Sequence, residues 1–516
     1  MKKLNTSKTK RIKNKKLELV TWLIFVVSAL ILYFIATDYA VFPSRYKLPL
    51  LLVILSLICI SGIITILSKK WFRYVSIGLN VILMVLMIAG LILLPNIEKR
   101  VRNIFKDTSY DEAIIDIFAT NSGYKADLSE YEDPIFIIQK RNDQENQDYA
   151  IEKLKEILGK DSIKTLQTED IVSAVEALYN NEGNLLILND VYIDTIEDIE
   201  KFTNFSDDTK IVTSIVKQVE VVEEEPVERD ITNSLFSVYV AGEDTRSGRL
   251  SIYGRTDVDI LVNVNPITKQ VMIVGFPRDT YIPNPAIDYG LDKLTHLGND
   301  GIQNTMKGVS EYYGVDIDYY GVVNFNTFKY IVDAMDGIDV DNPYYFSSSS
   351  ETDIYGSKSY TYEKGIIHLD GEAALAYCRE RWNLPNGDYG RSEHQTIALK
   401  AILQKLMSVN SLGYYSDLLD ALKGQFLTNI EVDDIYKLIA MQLNDNSSWD
   451  IISYHMGGTG DMQGTASMGY DRRLYVVHPF ESQVKFIKEE TEKMKNNEII
   501  EQQSLPNEED TYYIPN

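Results

Sequence analysis

The sequence is poor in cysteine and histidine, the residues on which most compact protein metal sites depend. Its 516 residues include two cysteines and five histidines. Cys59 lies in a long apolar segment and Cys378 in a charged one, so we expect no disulfide between them, and no zinc-type spacing of cysteine and histidine occurs. These shortages argue against a disulfide-stapled fold and against a histidine-built metal centre.

Basic residues are also in short supply. The chain has 51 Lys and Arg against 75 Asp and Glu, which gives a formal net charge of −24. A surface that binds nucleic acid normally carries a clear basic excess, so general nucleic-acid binding is disfavoured and no nucleic-acid partner is expected. Any basic residues that matter for function must therefore be concentrated locally.

Long apolar segments, in contrast, are present. Leu19–Thr37, Leu48–Leu67 and Tyr74–Leu94 each approach the roughly 20 residues of a membrane-spanning helix, and a cleaved signal peptide does not explain three in succession. Residues 1–18 and the connection "SKKWFR" are basic. By the positive-inside rule both are cytoplasmic, which places everything after Pro95 outside the cell. The basic tail resembles a nucleic-acid-binding arm as well, but attraction to lipid headgroups explains the same charges.

The remaining chain predicts two α/β domains. Residues 105–222 alternate strand-like and helical patterns, which indicates a small accessory domain with no recognisable chemistry. Residues 223–232 form an acidic, proline-containing linker. In residues 233–494 strands alternate with helices, which predicts a layered α/β domain with a central, mostly β sheet flanked by helices. Residues 495–516 are polar and are predicted to be disordered.

Charged residues are concentrated at the predicted strand ends of the larger domain and in the stretch "AYCRERWNLPNGDYGRSEHQ" at 376–395. The candidate site residues are Asp244, Arg255, Asp257, Arg278, Asp279, Lys293, Arg379, Arg381, Asp388, Arg391 and Gln395. Guanidinium groups are planar forks that suit phosphate oxygens, and a helix starting near Gly390 would add a positive dipole end. Any single arginine is explained more simply by surface ion pairing. Their combination predicts a diphosphate cradle, with carboxylates placed for Mg²⁺ or Mn²⁺.

Several segments, in order, resemble the signature segments of the LytR-CpsA-Psr family. They are "GRTDVDILVNVNP", "FPRDTYIP", "DKLTH", "DYYGVVNFNTF", "VDAMDGIDVD", "LDGEAALAYCRER" and "DYGRSEHQ". Three spans followed by an extra domain resemble the capsule-locus CpsA (Wzg) type of Gram-positive bacteria. "GFPRD", "DKLTH" and "EHQ" depart from the family's commoner "SIPRD", "DKIN" and "ERQ".

The resemblance implies an extracellular phosphotransferase that moves a glycopolymer, here capsular polysaccharide, from a polyprenyl-pyrophosphate carrier to peptidoglycan. It implies Mg²⁺ dependence, a pyrophosphatase side activity and an association with a capsule-synthesis kinase complex. Asp244 and Asp257 would hold the metal. The diphosphate ligands would be Arg255, Arg278, Lys293, Arg379, Arg381, Arg391 and Gln395. The catalytic set would be Arg278, Asp279, Arg379, Arg381, Asp388 and Arg391.

A polyprenyl tail also needs shelter, because each CH₂ left in water forfeits about 0.8 kcal/mol. The predicted walls of an apolar slot are Val322, Phe325, Phe328, Ile331, Val332, Met335, Ile397, Ala401, Ile402 and Leu406. Ordinary core packing is the alternative explanation for these residues. Two other functions remain open from the sequence, namely a membrane sensor that binds the lipid-linked polymer without turnover, and a DNA-binding transcriptional attenuator.

The predicted topology is tested by cysteine labelling of intact cells. In a background that lacks Cys59 and Cys378, an impermeant thiol reagent should label an introduced Ser234→Cys and should leave Ser7→Cys unlabelled. Labelling of Ser7→Cys alone would reverse the topology and place the larger domain in the cytoplasm.

Overall fold

The chain was analysed as a computed structural model, which describes residues 2–38, 44–67, 72–104, 110–220, 229–243, 250–349, 359–408, 418, 421–422, 425–445 and 447–506. The helices are α1 (Lys2–Asp38), α2 (Ser44–Leu67), α3 (Phe72–Ile104), α4 (Gln144–Leu158), α5 (Ile171–Tyr179), α6 (Ile193–Glu197), α7 (Phe205–Asp208), α8 (Leu294–Leu297), α9 (Ile302–Tyr313), α10 (Phe325–Ala334), α11 (Gly371–Arg379), α12 (Asp388–Leu406), α13 (Val432–Asp445) and α14 (Glu481–Lys495).

The strands belong to two main sheets and four two-stranded pairs. They are β1 (Tyr110–Thr120), β2 (Ile135–Gln139), β3 (Lys164–Thr168), β4 (Leu185–Asn189), β5 (Thr209–Glu220), β6 (Phe236–Glu243), β7 (Thr256–Asn265), β8 (Gln270–Phe276), β9 (Tyr281–Asn284), β10 (Gly290–Lys293), β11 (Tyr319–Asn324), β12 (Ile338–Asn342), β13 (Phe346–Ser347), β14 (Thr361–Tyr362), β15 (Gly365–Leu369), β16 (Leu427–Thr428), β17 (Asp450–His455), β18 (Gly458–Thr465) and β19 (Gly469–Pro479).

The chain divides into two compact units. The first unit is Met1–Ile104 with Ile430–Ser447, and the second is Phe105–Asn429 with Ser448–Asn516. In the first unit, α1, α2 and α3 each contain a segment long and apolar enough to cross a membrane, which agrees with the three predicted spans. Helix α1 starts at Lys2, so the basic tail continues the helix instead of preceding it. Lysine and arginine are good helix formers, which accounts for the extension.

Polar contacts connect the apolar helices. Nε of Arg73 lies 3.2 Å from a carboxylate oxygen of the fully buried Glu18, and Asn80 donates to Oγ1 of Thr65 at 3.0 Å. Nε1 of Trp22 donates to Oγ of Ser61 at 3.2 Å. Charges and amides inside a bundle of spans are paired in this way, because lipid offers them no hydrogen-bonding partner.

In the second unit, the accessory domain is built on a five-stranded mixed sheet of order β3-β2-β4-β1-β5. Strand β2 runs parallel to β3 and β4, whereas β1 is antiparallel to β4 and β5. Alternate residues of β1 enter two different cores: Ile115 and Ile117 pack with α4, and Phe118 packs with α5. This alternation produces a sheet covered on both faces, as the predicted α/β accessory domain requires.

The larger domain has a six-stranded sheet of order β16-β11-β6-β7-β8-β17. The predicted hairpin of β7 and β8 is confirmed, with Asp259 opposite Phe276 and Asn265 opposite Gln270. Helices α8, α9 and α14 cover one face of the sheet, and α12 packs on β7, β8 and β17. A side chain at Gly275 would meet Oγ1 of Thr396 at 2.3 Å, so the absence of a side chain there permits the close approach of α12.

The accessory domain packs directly on the larger domain. Met468, at the turn of the β18–β19 hairpin, is buried in the accessory core that includes α5. Nη1 of Arg472 lies 3.1 Å from a carboxylate oxygen of Asp170, and a carboxylate oxygen of Asp111 accepts from Oγ of Ser251 at 2.6 Å and from the backbone N–H of Ile252 at 2.8 Å. No local pattern predicts this contact, since it joins residues that are far apart in the chain.

The expectation of disorder from residue 495 onwards is wrong for residues 496–506. Ile500 is 3 % exposed, and its backbone N–H donates to Oε1 of Gln270 at 3.0 Å. Gln502 exchanges hydrogen bonds with the backbone of Ser453 in strand β17. The polar composition of this segment does not indicate that Ile500 and Leu505 pack on the core or that Gln502 covers the sheet edge. Residues 507–516 lie outside the described residues.

Candidate diphosphate-binding site

One cavity of the second unit collects the arginines that the sequence singled out. Its volume is about 390 Å³. The lining residues are Asp194, Glu197, Asp198, Thr203, Arg255, Asp257, Arg278, Phe325, Cys378, Arg379, Arg381, Trp382, Arg391 and Gln395. All five predicted diphosphate-binding arginines are among them, together with one predicted metal ligand and the predicted glutamine.

The antiparallel hairpin places the first three charged residues together. Arg255 precedes β7, Asp257 is the second residue of β7, and Arg278 follows the end of β8. Because the start of β7 lies beside the end of β8, with Asp259 opposite Phe276, these side chains lie at the same end of the two strands.

The end of α11 and the start of α12 supply the other four predicted residues, namely three arginines and Gln395. Helix α11 ends at Arg379, and Glu380 has extended backbone with φ −64° and ψ 130°. Extended backbone sends neighbours to opposite sides, so Arg379 and Arg381 face the cavity while the buried Glu380 accepts from the backbone N–H of Asn383 at 2.8 Å.

Helix α12 then begins at Asp388. Arg391 and Gln395 are four residues apart on it, and both are buried and line the cavity. The positive end of the helix dipole adds to the attraction for anions at this place.

Asp257 is the charge centre of the cavity. Its two carboxylate oxygens lie 2.7 Å from Nη1 of Arg278 and 3.9 Å from Nη1 of Arg391. Burial alone would raise the pKa of Asp257, but Arg278, Arg391 and Arg255 outweigh burial and hold it well below its ordinary value. In return, the charge of Asp257 raises the pKa of Arg278. The carboxylate is therefore ionised throughout the physiological range.

Aromatic rings support the two arginines of "RER". The guanidinium carbon of Arg379 lies 4.4 Å from the centroid of Phe325, and that of Arg381 lies 4.5 Å from the centroid of Trp382. A ring face attracts a cation while leaving the donor edge of the guanidinium available to a ligand.

Cys378 also lines the cavity. Burial raises the pKa of its thiol, so the thiol stays protonated and is unsuited to act as a nucleophile.

Three predicted site residues lie near the cavity without lining it. Nζ of Lys293 is 2.6 Å from Oδ1 of Asp279, and both side chains are about one-tenth exposed. Asp388 lies 2.9 Å from Nη2 of Arg391 and is 28 % exposed. Lys293 is thus committed to a carboxylate, which makes it a weaker candidate for direct phosphate contact than the five arginines.

Of the two predicted metal ligands, Asp257 lies in the cavity and Asp244 lies outside the described residues. Within the described ranges no three His, Cys, Asp or Glu side chains form a group that could hold a metal ion. The oxygen chemistry of Asp257 suits Mg²⁺, which commonly binds one or two carboxylates and takes its remaining ligands from substrate phosphates and water. A magnesium ion at this cavity would therefore depend on the diphosphate for several of its ligands.

Eight of the ten predicted lipid-contacting residues belong to one apolar cluster between α10, α11, α12 and the small β pairs. Val332, Met335, Ala401 and Ile402 are buried in this cluster, and Phe328, Ile331, Ile397 and Leu406 pack against it. Phe325 lines the cavity instead, and Val322 belongs to the cluster on the other side of the central sheet. Cys378 is part of both the cavity wall and the apolar cluster, so the two regions adjoin.

The accessory domain contributes residues that the sequence did not suggest. Asp194, Glu197, Asp198 and Thr203 line the same cavity, and Oδ2 of Asp198 lies 2.8 Å from Nη2 of Arg255. No motif marks them, and their role depends on how two separately folded segments pack. Trp382 also lines the cavity without being predicted, although its position directly after "RER" indicates that it lies near the arginines.

Known proteins resemble this chain in sequence. The LytR_cpsA_psr family model matches residues 202–477. The polyisoprenyl-teichoic acid–peptidoglycan teichoic acid transferase TagU of Enterococcus faecalis is 36 % identical over 234 residues, which are 45 % of this chain and 73 % of the relative. TagU of Bacillus subtilis is 29 % identical over 264 residues, 51 % of this chain and 78 % of the relative. The crystal structure of B. subtilis TagU aligns with 27 % identity, a TM-score of 0.38, 52 % of this chain and 100 % of that chain. The chain belongs to the LytR_cpsA_psr family, whose relatives named above are transferases.

Proposed function

We propose that the chain is a membrane-anchored phosphotransferase that moves a glycopolymer from a polyprenyl-pyrophosphate carrier to peptidoglycan. One observation carries the proposal: five guanidinium groups line a single cavity that adjoins an apolar cluster. A polyprenyl diphosphate has these same two parts, a compact anion and a long hydrocarbon chain. The names of the TagU relatives supply the polymer-to-peptidoglycan direction of transfer.

The polymer we propose is capsular polysaccharide. The accessory domain between the third span and the larger domain resembles the capsule-locus type of the family, and a capsule-synthesis kinase complex is the partner that this type implies. Three apolar helices would anchor the catalytic domain to the membrane, where a lipid-linked substrate is held.

The proposed reaction is a displacement at phosphorus. A sugar hydroxyl of peptidoglycan attacks the phosphorus that bears the polymer, a new P–O bond forms, and the P–O bond to the bridging oxygen breaks. Polyprenyl phosphate leaves with the bonding electron pair, and the arginines stabilise the negative charge that develops on it. Water in place of the sugar hydroxyl gives the pyrophosphatase side reaction.

The hydroxyl proton needs an ionised carboxylate within reach. Asp279 and Asp388 are the two candidates, and each forms an ion pair with a cation, Lys293 and Arg391 respectively. Asp388 is the more accessible of the two, with 28 % of its side chain exposed against 10 % for Asp279. We therefore place Asp388 first as the general base.

Mg²⁺ or Mn²⁺, held by Asp257 and Asp244, would polarise the phosphoryl oxygens and neutralise part of the diphosphate charge. Asp257 has a second task that does not need the metal, because it orients Arg278 and Arg391 through the contacts given above. The loss of Asp257 should therefore disturb both the metal and the arginines.

The first test removes single arginines. Arg278→Ala and Arg381→Ala should each lower transfer by roughly 10- to 150-fold, because a charge-assisted contact to phosphate contributes about 1.5–3 kcal/mol. Arg278→Lys should restore only part of the rate, since the two-pronged contact is lost. The measurement is release of polyprenyl phosphate by the purified full chain in detergent.

Arg473→Ala is the matched control for the arginine test, because Arg473 is exposed on β19 and does not line the cavity. It should transfer at the wild-type rate. Wild-type rates in both cavity variants would rule out the diphosphate cradle, and arginine-dependent binding without any turnover would favour a sensor over an enzyme.

The metal is tested with the double variant Asp244→Asn/Asp257→Asn. Turnover should be lost and should no longer respond to added Mg²⁺, whereas binding of the polyprenyl substrate should persist in part, because burial of the tail does not involve the ion. Binding is measured in parallel by retention of a labelled polyprenyl diphosphate. Normal Mg²⁺-dependent turnover in this variant would place the metal on other residues.

The lipid slot is tested by filling it. Ala401 is 6 % exposed within the apolar cluster, so Ala401→Trp adds volume where the tail is proposed to lie. Binding of the long-chain diphosphate should fall at least about tenfold, while inorganic pyrophosphate should bind as in the wild type. Overpacking of an ordinary core costs about 1–3 kcal/mol of stability, and equal losses for both ligands would assign Ala401 to the core alone.

A further inference from the structure

The accessory domain forms one wall of the arginine cavity, and this wall is acidic. The acidic wall consists of Asp194, Glu197 and Asp198, which lie on and directly after α6. Asp198 makes an ion pair of 2.8 Å with Arg255. The Arg255 side chain is 10 % exposed and that of Asp198 is 39 % exposed, so the carboxylate approaches from the solvent side of a nearly buried cation.

The acidic wall is fixed in place by its own helix. Ile196 is fully buried in the accessory core, and Thr195 is 1 % exposed and accepts from Nδ2 of Asn299 in the larger domain at 3.3 Å. These contacts hold α6 against the larger domain. The ion pair of Asp198 with Arg255 therefore results from the packing of the two domains.

The same guanidinium is one of the five proposed to bind the diphosphate. A phosphate oxygen that reaches Arg255 must compete with Asp198, because both anions seek the same N–H donors. Burial opposes the charge of Asp198, but Arg255, Arg278 and Lys293 lower its pKa below the ordinary value, so it competes as a full negative charge. Arg278 differs in that its partner, Asp257, belongs to its own domain and lies at the centre of the cavity.

We propose that Asp198 is an exchangeable counter-ion that neutralises Arg255 in the empty site and is displaced by the diphosphate of the substrate. The proposal rests on the proposed function and identifies a specificity-determining residue for it. Asp198 weakens the binding of every anion that uses Arg255. A free phosphate or pyrophosphate gains only the polar contacts of the cavity, whereas a lipid-linked diphosphate also buries its tail. The counter-ion therefore keeps small anions out at concentrations where the lipid-linked substrate still binds.

The exchange also favours product release. Transfer converts a diphosphate into a polyprenyl monophosphate, which carries less negative charge and competes less well for Arg255. Return of Asp198 to Arg255 then helps the product to leave. A variant without this carboxylate should bind both substrate and product more tightly, and its KM and kcat should fall together because release becomes slower.

The test measures the binding of inorganic pyrophosphate to the full chain in detergent by titration calorimetry. Asp198→Asn keeps the size and removes the charge, and its Kd should be about three- to tenfold lower than that of the wild type. Glu200→Gln is the matched control, because Glu200 is exposed two residues further along and does not line the cavity. Its Kd should stay within about twofold of the wild-type value. Asp198→Ala should lower the Kd for pyrophosphate to the same extent as Asp198→Asn. Agreement between the two variants shows that the effect comes from loss of the carboxylate and not from the asparagine side chain.

The outcomes separate this proposal from the proposed function. Arg278→Ala, measured in the same way, should raise the Kd of pyrophosphate by roughly 10- to 150-fold. If Arg278→Ala binds pyrophosphate like the wild type, the cradle is wrong and the counter-ion falls with it. If binding depends on Arg278 but Asp198→Asn has an unchanged or higher Kd, the cradle stands and Asp198 only positions Arg255, which overturns the counter-ion proposal alone.

Discussion

Mutual repulsion among guanidinium groups is the constraint around which this molecule is arranged. Two unit charges 4 Å apart repel by about 4 kcal/mol at an effective dielectric constant of about 20, and five arginines line a cavity of about 390 Å³. Asp257 reduces this repulsion from inside, through its contacts with Arg278 and Arg391. A ligand with the charge of a diphosphate would supply the rest of the negative charge that the arginines need.

The fold meets this constraint by bringing the ends of three secondary-structure units together. The β7–β8 hairpin contributes one pair of arginines, the end of α11 a second pair, and the start of α12 the fifth. The close approach of α12 at Gly275 keeps the start of this helix near the sheet edge. The apolar cluster behind α12 shares Cys378 with the cavity wall, so the polar and apolar halves of the proposed ligand would be bound by adjoining regions.

The accessory domain adds charge of the opposite sign to the same cavity. Its carboxylates come from a helix of only five residues, and their position depends on the buried Thr195 and Ile196 and on the hairpin contacts of Met468 and Arg472. A domain without recognisable chemistry of its own thereby becomes part of the site. The proposed anion site of the larger domain therefore includes charges from the accessory domain. The family match at residues 202–477 covers only the last part of the accessory domain.

Local patterns determined much of this protein from sequence alone. Apolar length identified the three helices, alternation and the "NPITK" turn identified the β7–β8 hairpin, and the chemistry of arginine identified the five cavity-lining cations, since each of these depends on neighbouring residues or on one side chain's own properties. Tertiary structure decided the rest. It paired Lys293 with Asp279, buried Ile500 within a segment whose composition predicts disorder, and paired Asp198 with Arg255 across 57 positions of the chain. Such pairings depend on how whole faces of two domains fit together, which no local pattern encodes.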